Sequence, residues 1–267
     1  RTNMDVNQWW TSDEIRFGWK FIHSPDRLRS PLRRTGDEVD AYRECDWNEA
    51  YRFASGTLRD IVRSGGGGSL VAMISPMLPS EEAYALGKLA IGVDHEAHVG
   101  LGPVPIQGED KTFPGGYTVR AEKCPNRRGV QRALGQLTAQ VRTYDELLAA
   151  LKSPDTKAAL LTGNYPSDWA TDELIAARDG KFVVAIDTLP SRVTQKADVV
   201  LPGATWAEKT GVFENAEGRL QSFTPAIPVI ELAKPEGQIA CDLAAACGLA
   251  SPSIFAAPAH RTELGAA

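Results

Sequence analysis

The chain has 267 residues, 43% hydrophobic and 24% charged, enough to bury a core in one large domain or two small ones. Its net charge of -5 at pH 7 speaks against a nucleic-acid-binding surface. No apolar run approaches the ~20 residues that cross a bilayer and the amino terminus shows no charged-then-apolar signal, so a soluble, cytoplasmic chain is expected.

Residues 1–64 read as a leading segment ending in a helix. Asp46 is its N-cap, Glu49 sits where a capping box needs it, and Ala50, Phe53, Ala54, Leu58, Ile61 and Val62 recur at helical spacing. The run Gly65 to Ser69 could cradle phosphate or serve as a flexible turn. It precedes a strand and lacks the Lys-Ser/Thr of a P-loop, which favours the turn.

Residues 65–225 read as an α/β domain. Leu70 to Ile74 is a buried-strand pattern, and Pro79-Ser80-Glu81-Glu82 opens a helix with Ala83, Leu86, Leu89 and Ala90 on its apolar face. Ala97 to Val99 suggests a short strand, residues 100–116 a surface loop, and Tyr117 to Arg120 another strand. The basic loop Glu122 to Gly129 could meet phosphate or acidic groups, or be a solvated surface. A helix over Tyr144 to Leu151, a strand over Ala158 to Thr162, a helix over Ser167 to Ala177 and a strand over Phe182 to Ile186 follow. This βαβ order predicts a parallel sheet, with a brief helix at Leu189 to Thr194 and a further strand at Val199 to Leu201. Residues 226–267 read as a carboxyl-terminal helix, Ile239 to Leu249, and a poorly ordered Ala/Pro-rich tail.

In such a sheet the turns Gly163-Asn164, Asp187-Thr188 and Pro202-Gly203 share the strands' carboxyl edge, where ligands bind. Asn164 and Asp187 could equally be turn formers or caps. The loop beyond Leu201 adds Glu208, Lys209, Thr210, Asn215, Glu217 and Arg219, with Gly211 and Gly218 allowing close backbone approach. No Ser/His/Asp grouping suits nucleophilic catalysis, so no catalytic residue is assigned. Cys45, Cys124, Cys241 and Cys247 contain no C-x-x-C, and His23, His95, His98 and His260 are dispersed, so no metal ligands are assigned.

The stretch ADVVLPGATWAEKTGVFENAEGRLQ, Ala197 to Gln221, resembles a signature of the molybdopterin oxidoreductase superfamily. Trp10 to Arg34, Ser75 to Ala90 and Arg120 to Val130 are similar too, and the wording is nearest to the large iron–sulfur subunit of bacterial NADH:quinone oxidoreductase, respiratory complex I. The resemblance implies Rossmann-like α/β layers of the molybdopterin oxidoreductase type. It also implies a vestigial or pterin-facing site made of Gly163, Asn164, Asp187, Thr188, Glu208, Thr210, Asn215, Glu217, Gly218 and Arg219.

The departures carry as much information. Where family members place a cluster-binding Cys followed by Lys, this chain has Ser12-Asp13-Glu14-Ile15-Arg16. The resemblance therefore implies that iron–sulfur clusters belong to an amino-terminal region absent from this sequence, to which residues 1–64 would link. It implies a scaffold domain in the peripheral arm of a respiratory complex, at the inner face of the cell membrane. Other subunits would be its partners, membrane association would be indirect, and the domain would hold no cofactor. The alternative is a fragment of a molybdopterin-dependent oxidoreductase, formate dehydrogenase-like, that binds a molybdopterin cofactor.

Overall fold

The computed structural model describes residues 2–36 and 41–265. In chain order these form α1 (Asp13–Phe17), β1 (Leu32–Arg34), β2 (Tyr42–Glu44), α2 (Trp47–Gly65), β3 (Leu70–Ile74), α3 (Ser80–Val93) and β4 (His98–Leu101). There follow β5 (Lys111–Thr112), β6 (Thr118–Val119), α4 (Arg127–Gly135), α5 (Tyr144–Lys152), β7 (Ala158–Thr162), α6 (Asp172–Ala177), β8 (Phe182–Asp187) and β9 (Val199–Pro202). The hairpin β10 (Gly211–Glu214) and β11 (Leu220–Phe223) precedes α7 (Glu236–Ala246) and α8 (Ala257–Glu263).

Seven strands form one sheet in the order β2-β1-β9-β8-β7-β3-β4. Strands β9, β8, β7, β3 and β4 run parallel, while β1 lies antiparallel to both β2 and β9. Alternation along the strands divides the core. Leu70, Ala72, Ile74, Leu160, Val184, Ile186 and Leu201 face α2, α3, α4 and α7 through Ala54, Leu58, Leu86, Val130 and Ile239. Val71, Met73, Ala159, Leu161, Val183, Ala185 and Val200 face α5 and α6 through Leu147, Leu151 and Leu174. Covering both faces is what makes β3, β7 and β9 continuous apolar runs. The expected α/β parallel-sheet architecture is present. The sheet also takes in β1 and β2, so it crosses the boundary expected between residues 64 and 65.

Several expectations need correction. Asp46 caps α2 by accepting from the Glu49 amide at 2.8 Å, but the Glu49 carboxylate turns to Arg33 and Arg43, leaving half a capping box. The glycine turn is pinned: Asp94 accepts from Gly68 N at 3.1 Å and Leu70 N at 3.0 Å, at the end of β3 opposite the strands' carboxyl edge. Residues 100–116 are not all loop, because β4 extends to Leu101 and β5 pairs with β6. The basic loop ends in α4, whose Val130, Ala133 and Leu134 pack inward; leading cations and Gly129 obscured that periodicity.

Helix α6 begins at Asp172 rather than Ser167, because Thr171 caps it by accepting from Leu174 N. In place of a helix over Leu189 to Thr194 there are turns and a 3-10 segment at Thr194–Lys196. Helix α7 starts three residues before the expected Ile239, right after Pro235, whose fixed φ suits a helix start. The tail expected to be poorly ordered contains α8, held by Arg261 on Glu81 and by Phe255 N donating to Gln238 Oε1 at 2.8 Å.

Candidate functional site

Strands β7, β8 and β9 run parallel, so their ends bring Gly163-Asn164, Asp187-Thr188 and Pro202-Gly203 together. Gly163 N donates to Ile186 O and Gly203 N to Asp187 O, each at 2.8 Å. The centre is the buried Asp187 carboxylate, which accepts from Asn164 N at 2.9 Å, Thr188 N at 2.8 Å and Trp169 Nε1 at 2.8 Å. Burial pushes this carboxyl up to about 6 although those donors favour its charged form. Asn164 sits at φ 74, a left-handed conformation that Asn tolerates better than most residues. Its Nδ2 donates to Ala204 O at 2.8 Å and Glu236 Oε1 at 2.6 Å. A Cβ on Gly163 would lie 2.2 Å from the Asp187 carboxylate, so this part of the edge is filled.

Beyond β9 the loop closes on itself. Glu208 forms a capping box with Thr205, accepting from its amide at 2.7 Å and its hydroxyl at 2.8 Å. Glu208 also accepts from Arg27 Nη2 at 2.8 Å and Ile230 N at 3.0 Å. Burial pushes the Glu208 carboxyl up, but the Arg27 and Thr205 hydrogen bonds outweigh it and hold the group below its ordinary value. The next residue, Lys209, is buried with Glu82 of α3 and Glu236 of α7. Sequence reasoning missed Glu82 and Glu236 as partners: each lies in the first turn of a helix, where carboxylates are common for dipole reasons alone.

The other candidates lie apart from this cluster. Thr210 is half-buried just before β10, and Asn215, Glu217, Gly218 and Arg219 form the β10–β11 turn. There the Asn215 side chain accepts from Glu217 N at 3.0 Å and Arg219 N at 2.9 Å, and Gly218 takes φ 82. The ten candidates thus divide into a buried strand-end group, Gly163, Asn164, Asp187, Thr188 and Glu208, and a separate group on the hairpin.

The departures near the amino terminus also have structural roles. Ser12 caps α1, accepting from Ile15 N. Glu14 pairs with Lys123 at 2.6 Å, and that hydrogen bond holds its carboxyl at about 2. Among the described residues no three His, Cys, Asp or Glu side chains are grouped to hold a metal ion. All four cysteines are free thiols.

A pterin cofactor held at the strand edge would need polar atoms directed into a concave site. Asp187, Asn164 and Glu208 instead spend theirs on one another, on Trp169, Thr205, Arg27 and Glu236, and on nearby backbone. Among the described residues, the Thr188 hydroxyl alone of the strand-end group is buried without a partner. In this arrangement the strand-end residues do not fit the cofactor.

The model of the molybdopterin oxidoreductase family matches residues 116–246. Acetylene hydratase from Pelobacter acetylenicus shares the fold, with a TM-score of 0.55 over 90% of this chain and 64% of that one, at 12% identity. Residues 116–246 therefore match a molybdopterin oxidoreductase domain, in line with the sequence resemblance. An NADH-quinone oxidoreductase subunit of Mycobacterium bovis is 32% identical over 209 residues, 61% of this chain and 26% of that protein. The assimilatory nitrate reductase catalytic subunit of Bacillus subtilis is 33% identical over 106 residues, 39% of this chain and 15% of that one. The chain thus spans about a quarter of the length of its Mycobacterium bovis relative.

Proposed function

We propose that the domain is a scaffold within the peripheral arm of an NADH:quinone oxidoreductase, part of a large iron–sulfur subunit, with no catalytic centre of its own. The observation that carries this reading is the internal satisfaction of the strand-end group, where Asp187 binds Asn164 and Trp169 rather than facing an open crevice. Similarity to NADH-quinone oxidoreductase subunits of Mycobacterium bovis and Streptomyces coelicolor supports a place among other subunits of such a complex, with electrons travelling on cofactors held elsewhere. No helix among the described residues is long and apolar enough to cross a membrane, which fits indirect attachment at the inner face.

A second reading rests on the family match over residues 116–246 and on similarity to a nitrate reductase catalytic subunit. Under it the chain is part of a molybdopterin-dependent oxidoreductase, and Thr210, Asn215 and Arg219 contact the pterin. Metal and pterin analysis of the full-length protein purified from its native host separates the two. The scaffold reading expects no molybdenum or tungsten, together with co-purifying NADH:quinone oxidoreductase subunits. Stoichiometric metal with a pterin overturns it.

A further inference from the structure

The loop after β9 runs between the amino-terminal ends of α3 and α7, and three buried charges meet there. Lys209 Nζ lies 2.7 Å from Glu82 Oε2 and 2.5 Å from Glu236 Oε2, and none of the three side chains is more than 1% exposed. Two carboxylates therefore share one ammonium. Glu236 has a further donor in Asn164 Nδ2, whereas Glu82 Oε1 is buried without a partner among the described residues.

Neighbouring charges do not correct the imbalance: those on the packed helices, the loop and β10 take their own partners, and Asp187, held by neutral donors, adds no cation. On α3, Glu81 takes Arg261 of α8 and Val212 N; on α7, Asp242 takes Lys234 and Tyr51. In the loop Glu208 takes Arg27, on β10 Glu214 takes Arg132 of α4, and at the strand edge Asp187 lies beyond Asn164. Helix amino termini favour anions, but that effect is small beside the cost of an unmatched charge in a dry site.

We propose that Lys209, Glu82 and Glu236 form a pH-sensitive latch that holds one proton near neutral pH and pins residues 203–210, with the hairpin that follows, between α3 and α7. Glu82 carries the proton: burial pushes its carboxyl up to about 8, against the pull of Lys209. Losing it to solvent leaves a net negative charge in the cluster and loosens the loop. A carboxyl raised from its ordinary 4.5 to about 8 contributes stability that is complete below 4.5 and is lost as pH rises through 8.

Urea unfolding of the whole chain from about pH 5 to pH 9, for wild type and Glu82→Gln, tests the latch. The wild-type folding constant is expected to fall relative to Glu82→Gln by up to about tenfold per pH unit, the limit for one linked proton. Parallel pH dependences overturn the proposal. Should Glu82→Gln fail to fold, the carboxyl resonance of Glu82 in 13C-glutamate-labelled wild type decides, with a midpoint above about pH 7 supporting the latch and one at or below it overturning it. Hydrogen exchange at residues 203–223, corrected for intrinsic rates, is expected to rise at alkaline pH in wild type; unchanged protection there also overturns the latch.

Discussion

Arg27 and Glu208, 181 positions apart in the chain, form a buried ion pair at 2.8 Å that fastens the leading segment to the loop beyond β9. Arg27 Nη1 also donates to Ile22 O at 2.9 Å, and Leu28 N to Thr188 O at 3.0 Å, so the segment crosses the strands' carboxyl edge. Removing one partner strands the other charge in the interior. Arg27→Ala is expected to cost about 3–5 kcal/mol by urea unfolding. The double substitution Arg27→Met with Glu208→Leu should recover part of that loss, since it removes the stranded charge but leaves the amides of Thr205 and Ile230 without their acceptor.

Gly163→Ala tests how tightly the strand edge is packed. The new methyl would meet the Asp187 carboxylate at 2.2 Å, and that carboxylate is held by Asn164, Thr188 and Trp169. A destabilisation of about 1–3 kcal/mol is expected, as for other overpacked cores. A thermal midpoint equal to that of wild type would show that the edge is more open than this.

Asp187 should titrate as a buried acid. Its carboxyl is raised from 3.8 to about 6, so its contribution is complete below 3.8 and is lost as pH rises through 6. That shift corresponds to about 3 kcal/mol. Relative to Asp187→Asn, wild-type stability is therefore expected to decline between these values and then level off. The comparison concerns slopes, since the Asn amide would set a donor against Trp169 Nε1 or a backbone N–H.

The carboxyl-terminal helix is expected to be a docked element. Arg261 Nε and Nη2 donate to Glu81 Oε1 at 3.0 and 2.8 Å, and the Glu81 side chain is 1% exposed. Arg261→Ala leaves that carboxylate with Val212 N, at an expected cost of about 1–3 kcal/mol. Hydrogen exchange of α8 should accelerate in the variant while that of β7 and β8 stays unchanged.

Much of the sheet is legible from composition, because a strand covered on both faces has to be a continuous apolar run. Leu70 to Ile74, Ala158 to Thr162 and Phe182 to Ile186 announce themselves this way. Helix α4 and the helical tail do not, since cations and Gly129 interrupt the first and Ala/Pro composition hides the second. The site candidates were legible as residues but not as partners. Asn164 and Asp187 are visible at strand ends, yet nothing local indicates that Asn164 will reach Glu236, 72 positions away.

The sequence by itself determined the α/β class, the carboxyl-edge turns and the family resemblance, because hydrophobic period, turn chemistry and motif spacing are local properties of the chain. Only the tertiary structure decided what the polar residues do. Whether Asp187, Glu208 and Lys209 face a ligand or one another depends on which distant groups the fold delivers to them. It delivers Trp169, Arg27, Glu82 and Glu236, and in a dry interior each charge takes the partner that is there.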